Sequence, residues 1–403
     1  MITSQPQKIL FFAEAVTLAH IARCIAIAEK LHVTGKYSIT LAADNRYDSV
    51  LGTVPFSRIP LHSISSDFFA KKLAQGLPIY STETLTDYVN EDLAIIDSIK
   101  PDFIIGDFRL SLAISSRLKK IPYATITNAY WSPYADIVYP VPEIALTKIL
   151  GIRLAQKVFN IVRPWAFKLH AFAFNRVCKK FRQPVLPYDL REIYTHADYT
   201  FYADIESLIP MKSLPNNHLF IGPILWSAQV SLPDWWESLP TDKPIIFVTL
   251  GSSGDSALLP KIIEALQQMT VTVICITANK TSFPQTYSNV YYSSFLPADL
   301  AVKKADIVIC NGGSPMVYQC IAENKAIIGL PGNLDQYLMM SLAQKAGYGE
   351  LIRSGEMDKV SIQKAVNRAI IKKTDSSPPH SDYSIDINKI ISIIDSHTRQ
   401  NRF

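Results

Sequence analysis

The chain has no cysteine pair at redox or metal-binding spacing, no membrane-length apolar run and no dense basic stripe. Its five cysteines, Cys24, Cys178, Cys275, Cys310 and Cys320, are odd in number, scattered and set among apolar residues. A thiol in such surroundings behaves as a small buried hydrophobe, so a reducing, cytoplasmic compartment is the default. No stretch approaches the roughly 18 apolar residues that a spanning helix needs. The early run Ile9, Leu10, Phe11, Phe12, Ala13 is cut by Glu14, which argues against a signal-peptide core and for a buried parallel strand. His32, His62, His170, His196 and His218 are spread out, with no HxH or HExxH spacing, so no metal site and no cofactor is expected. A net charge of +5 without a basic stripe interleaved with aromatics argues against nucleic acid.

What is present is apolar and periodic. The 403 residues are 48% apolar and 19% charged, enough to bury two cores and too little charge for a disordered chain. Residues 8–13, 37–42, 103–106 and 123–127 read as strands, with helices at 20–31 and 110–119. This is the rhythm of a parallel sheet covered on both faces. Residues 133–187 break it. They read as a helix pair rich in bases and aromatics, among them Arg153, Lys157, Arg163, Trp165, Lys168, Phe172, Arg176, Lys179 and Lys180. Such a segment packs on its own domain or lies on an anionic lipid surface.

Residues 222–243, with Pro223, Pro233, Trp235, Trp236 and Pro240, read as a linker. The rhythm then restarts, with strands at 244–250, 271–276, 306–310 and 326–330. Helices are expected at 256–269, 315–323, 335–346 and 358–371, then a loose tail at 376–383 and a last helix at 385–396. Two doubly wound domains leave a cleft suited to a ligand.

The most informative stretch runs from Asp306 to Met316. A buried strand ends at Cys310, and Asn311, Gly312 and Gly313 form a turn before a helix. Ser314 reads as the helix N-cap and Pro315 as its first residue, leaving the amides of Met316 and Val317 in the first turn. Free amides and the positive end of the helix dipole make an anion site, suited to a diphosphate. A plain strand–turn–helix corner is the alternative. A second turn, Gly251, Ser252, Ser253, Gly254, also follows a strand, but lacks the lysine of a P-loop and the spacing of GxGxxG.

These residues resemble the inverting, nucleotide-sugar-dependent glycosyltransferases that include plant UDP-glycosyltransferases and bacterial macrolide glycosyltransferases. The resemblance covers most of the chain and is densest from Phe295 to Leu351. It runs through Phe295-Leu-Pro-Ala, then Ala305 to Ser314, Gln319 to Pro331, Asp335-Gln336, and Ala346-Gly-Tyr-Gly-Glu-Leu351. It implies that Phe295 packs against the nucleobase and that the Leu296 backbone meets the base edge. It places Asn311 where the family usually has a phosphate-side histidine, and Gln319 where many members have a ribose-binding glutamate. Asp335 and Gln336 fall on the pair that bonds the donor sugar. Met316 and Val317 replace small hydroxyl residues of the macrolide branch. The helix dipole and amides, in place of a metal, support the leaving diphosphate.

An inverting transfer needs a base for the acceptor hydroxyl, and histidine suits it because its pKa lies near neutrality. His20 follows the first strand, at the carboxyl edge of the sheet, and the family's catalytic histidine falls here. The residue before it is Ala19 where the family usually has glycine. Asp107, after the strand 103–106, falls where the family places the aspartate that orients this histidine. By position alone, the plainer reading is that His20 is a helix-cap residue and Asp107 an N-cap for the helix at Leu110.

The expectation is therefore an α/β protein of GT-B architecture. Residues 1–223 form an acceptor domain, 224–243 a linker, 244–380 a donor domain, and 381–403 a helix crossing back to the first domain. The expected activity is inverting hexosyl transfer from a UDP- or dTDP-sugar to a hydroxyl of an apolar or lipid-linked acceptor. His20 and Asp107 are expected to be catalytic. The donor is expected at Gly251, Ser252, Ser253, Phe295, Leu296, Asn311, Gly312, Gly313, Ser314, Met316, Gln319, Asp335 and Gln336. The expected partners are the nucleotide-sugar donor and an unidentified acceptor, with peripheral contact at the inner membrane face. A GT-B nucleotide-sugar epimerase and a non-catalytic nucleotide-sugar-binding protein are the alternatives.

Overall fold

The computed structural model describes residues 6–281, 283, 287–372 and 383–400. Its strands follow the apolar runs. The first sheet holds β1 (Gln7–Ala13), β2 (Tyr37–Ala43), β3 (Ser57–Ile59), β4 (Phe103–Asp107), β5 (Tyr123–Thr127), β6 (Tyr199–Tyr202) and β7 (His218–Phe220). The second holds β8 (Ile245–Thr249), β9 (Thr272–Ile276), β10 (Val290–Ser293), β11 (Ile307–Cys310), β12 (Ala326–Gly329) and β13 (Gly349–Leu351). The spatial orders are β3-β2-β1-β4-β5-β6-β7 and β10-β9-β8-β11-β12-β13, and adjacent strands run parallel, as in β1 with β4 and β8 with β11. Both orders reverse direction once, between β1 and β4 and between β8 and β11. In open parallel sheets, ligands bind outside the carboxyl ends of the strands at such a switch point. Ala13 and Asp107 sit in register at the end of the first pair, Cys310 and Thr249 at the end of the second.

The two domains share apolar packing as well as facing each other. Tyr130, Tyr202 and Leu208 from the first sheet's side lie in one buried cluster with Val317, Tyr318 and Leu338 from the second. Segment 222–243 carries no strand or helix. It is nevertheless anchored, with Trp236 and Leu239 buried and Trp235 Nε1 donating to the Tyr292 carbonyl at 3.2 Å. The last helix, Ile387–Gln400, lies on the first sheet. Ile385, Ile390 and Ile394 join its core, and Tyr37 donates to Asp395 at 2.8 Å. The crossing is tight at Gly222, which has φ +82° and where a Cβ would lie 2.4 Å from the Ser384 carbonyl oxygen.

Within 133–187 the expected helix pair is Ala145–Lys180, two helices that meet at a kink at Gly151 (φ 67°, ψ 165°), the second with Pro164 inside it. Two other expectations change. The helix expected over 256–269 is a 3-10 turn at Ser256–Leu258 followed by the helix Leu259–Leu266. Pro260 sits at its start, where a missing N–H costs nothing. Between 43 and 102, where no element is expected from the sequence, Ser66–Ala74 and Thr82–Ile99 are helices. The second begins at Ser81, whose hydroxyl accepts from the Thr84 amide at 3.1 Å. The tail at 376–383 lies outside the described residues except for Tyr383.

Candidate functional site

His20 stands in the first turn of the helix Leu18–Val33, directly after β1, and Asp107 is the last residue of β4. The register that pairs these strands brings the two side chains together: His20 Nδ1 lies 2.8 Å from Asp107 Oδ1. Asp107 is fully buried. With Nδ1 engaged by the carboxylate, Nε2 is the ring nitrogen left to take a proton, an assignment made from the hydrogen-bond network. Phe108 stacks on the His20 ring at 4.8 Å and 12°. It holds φ 58°, a strained left-handed conformation for a bulky side chain, and such strain clusters at working sites.

Arg23, one helical turn beyond His20, was not anticipated. It clamps Asp107 with Nε to Oδ2 and Nη2 to Oδ1, both at 2.7 Å. Burial alone would lower the guanidinium, but the Asp107 carboxylate outweighs it and holds it charged. Arg23 Nη1 also donates to Asn128 Oδ1 at 2.9 Å. Asn128 Nδ2 in turn donates to Asp204 Oδ1 at 2.7 Å and to Ser314 Oγ, in the second domain, at 3.4 Å. Tyr318 of the second domain donates to the same Asp204 oxygen at 2.5 Å. A continuous polar chain therefore runs from His20 across the domain boundary. Asn128 had a signal in the sequence, since it immediately follows β5 at the same edge as Asp107. Arg23 had none, because its partner lies 84 residues away.

Asp204 gives this chain a pH dependence. Burial pushes its carboxyl up to about 6, against the hydrogen bonds from Tyr318, Asn128 and the Ala129 amide. The unfolded chain releases the same proton near ~4. The group's contribution to stability is present below the unfolded value and is lost as pH rises through about 6. In Asp204→Asn, the stability lost between about pH 4 and pH 7 should shrink by on the order of 3 kcal/mol. Urea melts across that range check this, and parallel profiles for the two proteins would disprove it.

The opposite wall is built from the loops after β8 and β11. Gly312 has φ +78°, and a Cβ there would lie 2.2 Å from Met340 Cγ, so only glycine fits. Asn311 ties the loops together: its Oδ1 accepts from the Gly313 amide at 3.2 Å and its Nδ2 donates to Ser253 Oγ at 3.3 Å. Gln336 Nε2 reaches the same Ser253 hydroxyl at 3.3 Å, while its Oε1 accepts from the Gly332 amide at 2.8 Å. Asn311 and Gln336 thus fix the shape of this wall. Asp335 is held by Trp131 Nε1 across the cleft at 2.7 Å.

The helix after β11 starts one residue earlier than expected. Gly313, with extended φ −66° and ψ 142°, is the N-cap, and Ser314 is the first residue of the helix Ser314–Ala322. The Ser314 hydroxyl caps nothing and instead accepts from Asn128. Val317 donates to the Gly313 carbonyl at 3.1 Å, so its amide is intrahelical. Pro315 has no N–H, which leaves Ser314 and Met316 as the first-turn amides that helix geometry provides no carbonyl for.

The two walls enclose a cavity of about 140 Å³. His20, Ser253, Gly313, Ser314, Asp335 and Gln336 line it. Gly251, Ser252, Phe295, Leu296, Asn311, Gly312, Met316 and Gln319 do not. Phe295 is half-buried, the Leu296 side chain is in the core, and Gln319 is buried within its helix. Six further lining residues, Phe69, Leu73, Ile79, Phe108, Trp131 and Tyr194, make the side nearest His20 apolar and aromatic. Among the described residues, no group of three or more His, Cys, Asp or Glu could hold a metal ion.

Residues 245–387 match the Glycosyltransferase family 28 C-terminal domain. Over 364 residues the chain is 41% identical to a PGL/p-HBAD biosynthesis glycosyltransferase of Mycobacterium tuberculosis, covering 90% of this chain and 85% of that one. It is 40% identical over 369 residues to a PGL/p-HBAD biosynthesis rhamnosyltransferase of Mycobacterium bovis, covering 92% and 82%. Among solved structures, glycosyltransferase VinC in complex with DTDP superposes with a TM-score of 0.65 at 12% identity, over 98% of this chain and 100% of that one.

Proposed function

This chain belongs to the GT-B glycosyltransferases, and on that premise we propose that it transfers a deoxyhexose from a nucleoside diphosphate sugar to a hydroxyl of an apolar acceptor, with inversion. The observation that carries the reading is the single cavity joining His20, backed by Asp107, to Ser253, Gly313, Asp335 and Gln336. His20 Nε2 takes the acceptor proton as the acceptor oxygen attacks the anomeric carbon. The bond from that carbon to the diphosphate breaks on the opposite face, and the leaving charge falls to the amides at the start of Ser314–Ala322. Rhamnose is favoured by the name of one close relative, and a thymidine nucleotide by the ligand of one structural neighbour. The apolar lining around Phe108, Trp131 and Tyr194 favours an aromatic or lipid-linked acceptor, with the protein held peripherally at a membrane. The test is to incubate the protein with dTDP-rhamnose, UDP-sugars and a phenolic acceptor. A deoxyhexose mass gain, with proton NMR showing inverted anomeric configuration, is expected. Retained configuration would overturn the mechanism, and no transfer from any donor would overturn the substrate reading.

Asp335→Ala tests the sugar side of the cavity. A hydrogen bond to a charged group contributes about 1.5–3 kcal/mol, so kcat/KM for the preferred sugar should fall roughly 10–100-fold. Selectivity between donor sugars should fall with it, while the Kd of the free nucleoside diphosphate stays within about threefold. Equal losses for sugar donor and free nucleotide would move Asp335 to the nucleotide or to the fold.

A further inference from the structure

The long helical segment Ala145–Lys180, kinked at Gly151, has no acidic residue in its 36 positions. Leu154, Ile161, Val162, Trp165, Leu169 and Phe172 recur on it at helical spacing, so they share one face. That face is open to solvent: Ile161 is 70%, Trp165 65% and Leu169 59% exposed. From Leu154 to Phe172 the stripe is about 27 Å long. Its aromatic partners Phe167 and Phe174 point the other way and are buried in the domain. The apolar content of this helix therefore exceeds what its own core uses. Lys157 and Lys168 flank the stripe along one edge, with the Lys168 ammonium 4.7 Å from the Trp165 ring centroid. Arg176, Lys179 and Lys180 extend it at the carboxyl end, all exposed.

The opposite, inner face of the same helix borders the acceptor side of the cleft. His170 and Phe174 of the same helix line a narrow crevice of about 20 Å³ with Ile79, Tyr80 and Tyr194. Ile79 and Tyr194 line the His20 cavity as well. An apolar acceptor with its hydroxyl at His20 would leave the cavity towards this helix.

We propose that the outer face of Ala145–Lys180 docks on an anionic lipid surface, with the aromatic and aliphatic stripe at the acyl boundary and the lysines and arginines at the headgroups. Charge complementarity selects this occupant, since an apolar stripe bordered by exposed bases, on a helix with no acidic residue of its own and, among the described residues, with only Glu83 of a neighbouring helix near Arg176 and Lys180, matches an anionic bilayer. Among the described residues no helix can cross a membrane, so the association is peripheral. This inference rests on the reading of an apolar acceptor, whose tail would remain in the bilayer while its hydroxyl reaches His20.

The experiment is cosedimentation of the full chain with phosphatidylcholine vesicles, with and without about one third phosphatidylglycerol. Binding is expected only to the anionic vesicles, and it should weaken as salt is raised. In a Trp165→Glu, Leu169→Glu double variant, the bound fraction should fall at least about tenfold while transfer to a water-soluble phenolic acceptor is unchanged. Equal binding by the variant, or no binding of the wild type at low salt, overturns the proposal. So does a wild-type dimer that the variant dissociates, which would make the stripe an interface between copies. The vesicle assay uses neither donor nor acceptor, so its failure leaves the transferase reading standing. Failure of transfer with intact vesicle binding would instead remove the acceptor reading alone.

Discussion

His20→Ala should slow sugar transfer by about 10²–10⁴-fold, the range for loss of a general base, while the affinity for free nucleoside diphosphate stays within about twofold. The asymmetry follows from where the groups stand. His20 is carried by the β1 edge of the first domain, whereas Ser253, Gly313, Asp335 and Gln336 come from the second. The ring is held at Nδ1 by Asp107 and on its face by Phe108, and Arg23 fixes the Asp107 carboxylate that orients it. Little reorganisation is needed before reaction, so the removed group is a prepared base. Asp107→Asn should also cost rate, through a disturbed tautomer and a loosened Arg23, since the amide keeps only one of the two acceptor oxygens that Arg23 uses and none of the charge. Single-turnover transfer and equilibrium titration with nucleotide separate the two effects. Transfer by His20→Ala at near wild-type rate would remove His20 from the mechanism, and an equal loss of nucleotide affinity would mark it as structural.

Much of this arrangement was legible in the chain, for an identifiable reason. Parallel strands buried on both faces leave continuous apolar runs, so β1, β4, β5, β8 and β11 stood out, and with them the residues at their carboxyl ends. His20, Asp107, Ser253 and Gly313 follow from strand position, and the resemblance to the glycosyltransferases added roles to those positions. The short edge strands β3, β7 and β13 carry three residues each and no period that a sequence can show. Arg23, Trp131 and Arg109 were missed for a different reason. Each takes its meaning from a partner far along the chain, such as Asp335, 204 residues from Trp131. Asn311 and Gln336 were anticipated as donor contacts; in the structure both side chains spend their hydrogen bonds on Ser253 and neighbouring amides. The long helix was legible in composition but not in orientation. Aromatics at 165 and 172 face solvent and those at 167 and 174 face the core, a split set by packing.

Arg109→Met should destabilise the fold by about 3–5 kcal/mol, the range for breaking a buried ion pair by removing one partner. Glu14, which in the sequence only interrupts an apolar run, is fully buried beneath the β1 edge and meets Arg109 Nη1 at 3.0 Å. Asp92, also fully buried, meets Arg109 Nε at 3.0 Å, and Glu91 meets Nη2 at 2.8 Å. The guanidinium lies 3.6 Å from the Tyr88 ring centroid, and the Tyr88 hydroxyl donates to Glu14 at 2.9 Å. Burial pushes the carboxyls of Glu14 and Asp92 up, and Arg109 is the cation that opposes this. Methionine keeps much of the volume and removes the charge, leaving two carboxyls that regain a favourable state only by binding protons. The stability deficit of Arg109→Met should therefore be larger at pH ~8 than at pH ~5, because the folded variant holds protons that the unfolded chain has released. Adding Glu14→Gln and Asp92→Asn should recover part of the loss, since neutral partners leave no stranded charge. The consequence reaches the site, because the Glu14 amide donates to the Asp107 carbonyl at 3.1 Å and Thr17, three residues on, lines the cavity. Guanidinium melts at the two pH values decide the matter. A deficit below about 1 kcal/mol at both, or one that grows towards acid, would show that Arg109 does not neutralise this cluster.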